Sequence, residues 1–203
     1  MVSKGKSQKT WYLLLVGVVA LSLVIIVEVL EPSGTPLNWA IRGAAMLGYL
    51  SVFLASLSSI YVRELVKFFG RPFIKVHHIV SVAGLILLTL HPLGFAWDSK
   101  SMAVFIPATD SWLSFFQWGG RPAWYLLGIA ALAAVLRKGL VRSWRVIHYL
   151  NYLAFALGTV HAILLGTNFQ NLVARVVLIL MVLVIAAVFV RRRMPARKAP
   201  SKR

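Results

Sequence analysis

The stretch Phe73 to Trp97, FIKVHHIVSVAGLILLTLHPLGFAW, decides how the chain is read. It is long and apolar enough to cross a ~30 Å hydrocarbon core as a helix, for which about 20 such residues suffice. It nevertheless carries the doublet His77 and His78 at one end and His91 toward the other. A second apolar run, SWRVIHYLNYLAFALGTVHAILL from Ser143 to Leu165, repeats the pattern with His148 and His161, and these are all five histidines of the chain. His77 and His91 are fourteen residues apart and His148 and His161 thirteen, which places each pair roughly 20 Å apart along a helix. Ionisable side chains inside a membrane are costly and point to function by default. Imidazole is the natural axial ligand of a b-type haem. Two such helices, running in the same direction, can clamp two haems one above the other.

Composition supports a membrane setting. Of the 203 residues 60% are hydrophobic and 13% charged, about half the charge of an ordinary soluble domain, and mean hydropathy is +0.81. Backbone groups inside a bilayer must bond internally, so long apolar runs without strand alternation are helices. The absence of cysteine removes disulfides, thiolate zinc sites and iron–sulfur clusters. The net charge of +17 falls at the ends of apolar segments and not on a basic face interleaved with stacking aromatics, which argues against nucleic acid as a partner.

Six spans are expected: Trp11 to Leu30, closed by the turn Glu31-Pro32-Ser33-Gly34, then Leu37 to Ile60, Phe73 to Trp97, Pro122 to Leu136, Ser143 to Leu165 and Phe169 to Val190. The fourth is short. Lys4, Lys6 and Lys9, the group Arg63, Lys67, Arg71 and Lys75, the group Arg137, Lys138, Arg142 and Arg145, and a tail from Arg191 to Arg203 all fall on one side. Only Arg42, Lys100, Arg121 and Arg175 fall on the other. The positive-inside rule then puts both termini in the cytoplasm. The expected fold is an all-α integral membrane bundle of six transmembrane helices in the inner or plasma membrane. Residues 1–10 form a cytoplasmic segment, 11–190 a haem-binding transmembrane domain and 191–203 a basic cytoplasmic, lipid-facing tail. The external connection from Asp98 to Arg121 holds Trp112, Phe115, Phe116 and Trp118, which suits an amphipathic stretch in the headgroup layer or a docking surface.

In this topology His77 and His148 lie near the cytoplasmic end and His91 and His161 near the external end. His77 and His91 share a helix face, because fourteen residues at ~100° fall only ~40° short of four turns. Thirteen residues fall ~140° short, so a straight fifth helix would not align His148 with His161. His78 is also thirteen residues from His91, which leaves the inner ligand open between His77 and His78. Haem propionates favour guanidinium or ammonium groups near the membrane faces. Arg42 and Arg121 are the external candidates, Arg145 and Lys75 the internal ones. Gly43, Gly48, Gly84 and Gly158 suit either close approach of a macrocycle or helix packing. Pro92 suits a kink or the end of its helix, and Glu28 a side chain snorkelling to the external surface.

His77-His78 followed by His91, and Trp144-Arg145-Val146-Ile147-His148-Tyr149 followed by His161, resemble the ferric-reductase-like transmembrane domain. Arg121-Pro122 leading into Leu127-Gly128-Ile129 is similar to the corresponding helix of one branch, the haem-binding membrane subunit of the protein-methionine-sulfoxide reductase system. The resemblance covers roughly Arg42 to Val190 and implies six helices and two stacked b haems. His77, His91, His148 and His161 match the four ligand positions, with His77 and His148 as the inner pair. That subunit often has arginines where this chain has the doublet. Ferric reductases and NADPH oxidases in turn usually carry a fused flavin and nicotinamide module, for which 203 residues leave no room. The resemblance further implies electron flow from a cytoplasmic flavin-dependent donor or a quinol to an external acceptor, foremost a periplasmic methionine-sulfoxide reductase subunit. Bound FMN at the cytoplasmic face is implied by family analogy only.

The residues themselves show no nucleophile, acid–base pair or substrate pocket, so the expectation is a redox subunit and not a complete enzyme. One rival is a stand-alone reductase of external metal chelates. Another, of a different class, is a proton-coupled transporter using histidine relays, although the inverted repeats and broken helices of such proteins are not evident.

Overall fold

The computed structural model describes residues 4–30, 34–70 and 73–193, and among these every regular element is helical. The expected turn at Glu31-Pro32-Ser33, Arg71 and the tail beyond residue 193 lie outside the described residues.

The first helix, α1, runs Lys4–Leu30, so the segment read as a cytoplasmic leader continues the helix from Lys4 onward. Thr35 starts the next helix: its side chain accepts from Asn38 N–H at 3.2 Å and Pro36 takes the first position, where no amide donor is needed. This α2 (Pro36–Ile60) is followed by a short α3 (Val62–Phe69), which ends at Gly70 with φ 88°, a left-handed conformation that glycine adopts freely. α4 (Phe73–Ser99) passes through Pro92 without ending there. A proline inside a membrane helix is tolerated because neighbouring groups re-satisfy the backbone. The connection that follows forms a 3-10 turn at Met102–Phe105 and α5 (Trp112–Gln117). Then come α6 (Gly120–Val135), α7 (Arg137–Leu140), α8 (Ser143–His148), α9 (Leu150–Leu165), a 3-10 turn at Thr167–Phe169 and α10 (Leu172–Arg193).

Five segments are long and apolar enough to cross a membrane: Tyr12–Val29, Pro36–Ile60, Phe73–Ser99, Ser143–Leu165 and Leu172–Arg191. The chain thus has the make-up of a multi-pass membrane protein. The fourth expected span is the 16-residue α6, about 24 Å long and short of the ~30 Å core. Large apolar side chains stay exposed along the long helices, Leu15, Val18 and Ile25 on α1 and Ile79, Val82 and Ile86 on α4 among them. Such faces suit lipid, which solvates them as well as protein does.

α2 and α4 pack together along most of their lengths, and glycines allow the approach. A Cβ at Gly48 would lie 2.7 Å from Cγ of Leu88, and one at Gly84 would lie 2.9 Å from Cβ of Ser51. These two glycines therefore serve helix packing, while Gly43 and Gly158 border open space. The core joins α2, α6, α9 and α10 through Val52, Ala123, Leu127, Phe155 and Met181. Tyr49 stacks on Phe155 at 4.5 Å between centroids, and its hydroxyl lies 2.7 Å from Thr159 Oγ1.

Two sequence expectations change here. The fifth span, Ser143–Leu165, is continuous as expected, but its geometry departs from an ideal α-helix at Tyr149, just after His148. Tyr149 N–H is shared between the carbonyls of Arg145 and Val146, at 3.2 and 3.1 Å, a tightening from α to 3-10 geometry. The angle expected between His148 and His161 on one straight ideal helix is therefore not exact here. Glu28 does not snorkel: it is 5% exposed and turns inward, 3.8 Å from Arg42.

Candidate functional site: two histidine pairs

α4 supplies His77 and His91, α8 supplies His148 and α9 supplies His161. His91 and His161 line one cavity of about 760 Å³, within the roughly 300–1,000 Å³ of ligand pockets. Both imidazoles are held by the same atom in the same way. Nδ1 of His91 lies 3.1 Å from the Ile41 carbonyl, and Nδ1 of His161 lies 2.7 Å from the Gln117 carbonyl. A carbonyl only accepts, so the hydrogen-bond network assigns the proton to Nδ1 and leaves Nε2 with its lone pair. Fixing one ring nitrogen in this way is how proteins orient a metal-binding imidazole. Gly120 makes room for His161: a Cβ there would lie 2.7 Å from its Cδ2 and 2.9 Å from its Nε2.

The cavity walls are apolar for the most part, with Met46, Val52, Leu88, Leu127 and Phe155 among them. Arg42 and Arg121, the two sequence candidates for an anionic edge, both line it. Arg121 Nη1 donates to the Ile106 carbonyl at 2.7 Å, and its guanidinium sits 4.2 Å from the Trp118 ring centroid. One donor and one ring face are thereby used, and other donors of its five remain for a ligand. Arg42 Nε donates to Oδ1 of Asn168 and stands 3.8 Å from Oε2 of Glu28. The aromatic connection divides its labour. Phe105 and Trp118 line the cavity, while Trp112 is 81% exposed.

The other pair is built differently. His77 directs Nδ1 at Ser58 Oγ, 3.1 Å away. Ser58 gives its single hydrogen to the Ala55 carbonyl at 2.9 Å, so it accepts from His77 and again leaves Nε2 unprotonated. Nδ1 of His148 lies 3.0 Å from the Ala130 carbonyl, but the side-chain amide of Asn151 comes within 3.3 Å of both its ring nitrogens. His77 and His148 are near enough to act on each other electrostatically, as are His91 and His161. Neither His77 nor His148 lines the cavity. His78 is exposed on the outside of α4, its ring centroid 5.8 Å from that of His77. Arg145 is also exposed, its guanidinium 5.5 Å from the Trp144 ring centroid, and Lys75 is exposed.

Sequence reasoning did not find the anchors, because three of the four are backbone carbonyls. Among the described residues no three His, Cys, Asp or Glu side chains converge to hold a bare metal ion. The arrangement offers imidazoles in twos.

Residues 37–168 match the model of a domain of unknown function (DUF8596). The match contains all four paired histidines together with Arg42, Arg121 and Asn168, and leaves out α1 and α10. No curated protein and no solved structure matches the chain. The matched region covers well over half of the sequence, and the chain belongs to the DUF8596 family.

Proposed function

We propose that the chain is a transmembrane b-type cytochrome, a redox subunit that relays electrons through two haems stacked across the bilayer. One observation carries this reading: four histidines on the apolar helices each turn Nδ1 to an acceptor. This leaves Nε2 of His77, His91 and His161 as a ligand, while at His148 the Asn151 amide stands 3.3 Å from Nε2 and would have to give way. Two imidazoles per iron are what a six-coordinate haem takes from its protein, the porphyrin filling the other positions. This is also why three-residue metal cages play no part.

The residues around the cavity fit the group. Their apolar walls suit a macrocycle, His91 and His161 offer two lone pairs, and Arg42 and Arg121 supply positive charge for its carboxylates. Haem held by His91 and His161 would supply a one-electron couple, with a potential tuned by those imidazoles and by the apolar walls. The chain's own work is to orient the imidazoles, to hold the anionic edge and to exclude water. At the other end the exposure of His78 favours His77 over it as the inner ligand with His148.

Under this reading the bundle has six spans with both ends cytoplasmic, and α6 is the short fourth crossing. Electrons enter from a cytoplasmic flavin-dependent donor or a quinol, with FMN as an analogy-based option. They leave at the outer pair for an external acceptor, a reductase subunit of the methionine-sulfoxide type before a metal chelate. The resemblance to ferric-reductase-like domains supports this order. The test is to purify the chain from haem-replete cells and record oxidised and dithionite-reduced spectra. A b-type reduced spectrum is expected; a colourless protein removes the reading.

A further inference from the structure

Glu28, Arg42 and Asn168 come from α1, α2 and the 3-10 turn after α9, and the fold gathers them beside the cavity. Glu28 is 5% exposed and Asn168 4%. Among the described residues neither carboxylate oxygen of Glu28 meets a well-formed hydrogen bond, and neither does Nδ2 of Asn168, although the Asn168 side chain is near enough to act on the carboxylate. Arg42 Nε is 3.8 Å from Glu28 Oε2, close enough for attraction and too far for a hydrogen bond. Its proton goes to Asn168 instead. An ion pair of this quality does not offset the desolvation of a buried carboxylate, and an alkyl side chain would join α1 to α2 at lower cost. A group kept in spite of that cost points to a use.

Arg42 and Asn168 line the cavity and Glu28 does not. Among the described residues Arg42 therefore stands next to Glu28 on one side and the cavity on the other. The residue before it, Ile41, gives the carbonyl that holds His91, so a single turn of α2 serves both tasks.

We propose that Glu28 is a proton-binding site linked to the cavity: negative charge added to the cavity draws one proton from the external side onto a Glu28 carboxylate oxygen. The proposal rests on the haem reading, in which that charge is the arriving electron. The step balances. The cytoplasmic donor supplies one electron, the external solution supplies one proton, an O–H bond forms on Glu28, and the charge around Arg42 is unchanged overall.

The groups facing Glu28 are few. Arg42 of α2 is the charge that acts on it, and the 3-10 turn adds the neutral Asn168. Arg175 of α10 is committed to the Phe169 carbonyl at 2.6 Å and to Gln170 at 2.9 Å. α3, with Arg63, Glu64 and Lys67, meets α1 near Tyr12, at the opposite end of that helix. Glu31 lies outside the described residues.

The experiment is a redox titration of the purified haem-loaded protein, followed by visible absorbance at several pH values, for wild type and Glu28→Gln. Reduction with proton uptake is favoured by acid, so the outer-haem potential falls as pH rises. The expected slope approaches about 59 mV per pH unit, the one-electron equivalent of a tenfold change. Glu28→Gln keeps its haem and loses the slope. A variant with the wild-type slope, or a wild-type potential independent of pH, overturns the proposal. Where Glu28→Gln does not fold, infrared difference spectra of the wild type, reduced minus oxidised, replace it. They should gain a protonated-carboxyl C=O band that shifts in deuterium oxide, and lack of that band overturns the proposal equally. Failure of the haem reading is separate and visible first, as a wild-type protein without b-type bands, and this inference falls with it.

Discussion

At the His91–His161 end both imidazoles turn Nδ1 to a backbone carbonyl, both line one cavity, and two guanidiniums share its wall. At the His77–His148 end a side-chain hydroxyl holds one imidazole, an amide crowds the other, and neither lines that cavity. The difference lies in what anchors a ligand. A carbonyl in a packed helix or turn cannot be removed by substitution and moves only with its element. Ser58 and Asn151 are side chains, so that end can be tuned residue by residue. The two ends should accordingly respond to different perturbations, and in graded amounts.

The strongest separation comes from Gly120→Val. Its side chain would occupy the space of the His161 ring, so the outer haem should be lost outright while the inner one stays, read as half the reduced absorbance per protein. Gly48→Leu should not discriminate. It forces α2 from α4 at Leu88, and overpacking of this kind costs about 1–3 kcal/mol, so thermal stability drops and both haems loosen together. Ser58→Ala sharpens the contrast from the other side. Loss of an orienting partner typically weakens a metal site by about 10–100-fold, here at the inner haem alone, measured by haem loss to apomyoglobin. The smallest effect belongs to Arg121→Gln, which removes one charge near the cavity. It should speed outer-haem release by about 10-fold, the low end of the roughly 1.5–3 kcal/mol of a charged hydrogen bond; an equal effect on the inner haem would contradict the placement of Arg121.

The sequence made the helices legible, since apolar length is a local property. Helix rise and direction put His91 and His161 at a common depth, and these two line one cavity. Arg42 and Arg121 at the cavity followed from charge at the ends of spans. The departure from ideal geometry at Tyr149 was not readable, because neither proline nor glycine marks it. The burial of Glu28 was not readable either, since its partners lie far along the chain in α2 and in the turn at Asn168. Nor could the carbonyls of Ile41, Gln117 and Ala130 be foreseen, because every residue carries one. The aromatic connection allowed two readings, lipid or partner. Phe105 and Trp118 show a further use, as part of the cavity wall.

The most direct measurement is haem content per chain in the wild type and in His77→Ala, His91→Ala, His148→Ala and His161→Ala, resolved by reductive titration. Two haems are expected in the wild type and one in each variant. His91→Ala and His161→Ala should delete one spectral component, His77→Ala and His148→Ala the other. A haem-free wild type, or single variants that strip both components equally, would contradict the assignment of four imidazoles to two separate irons.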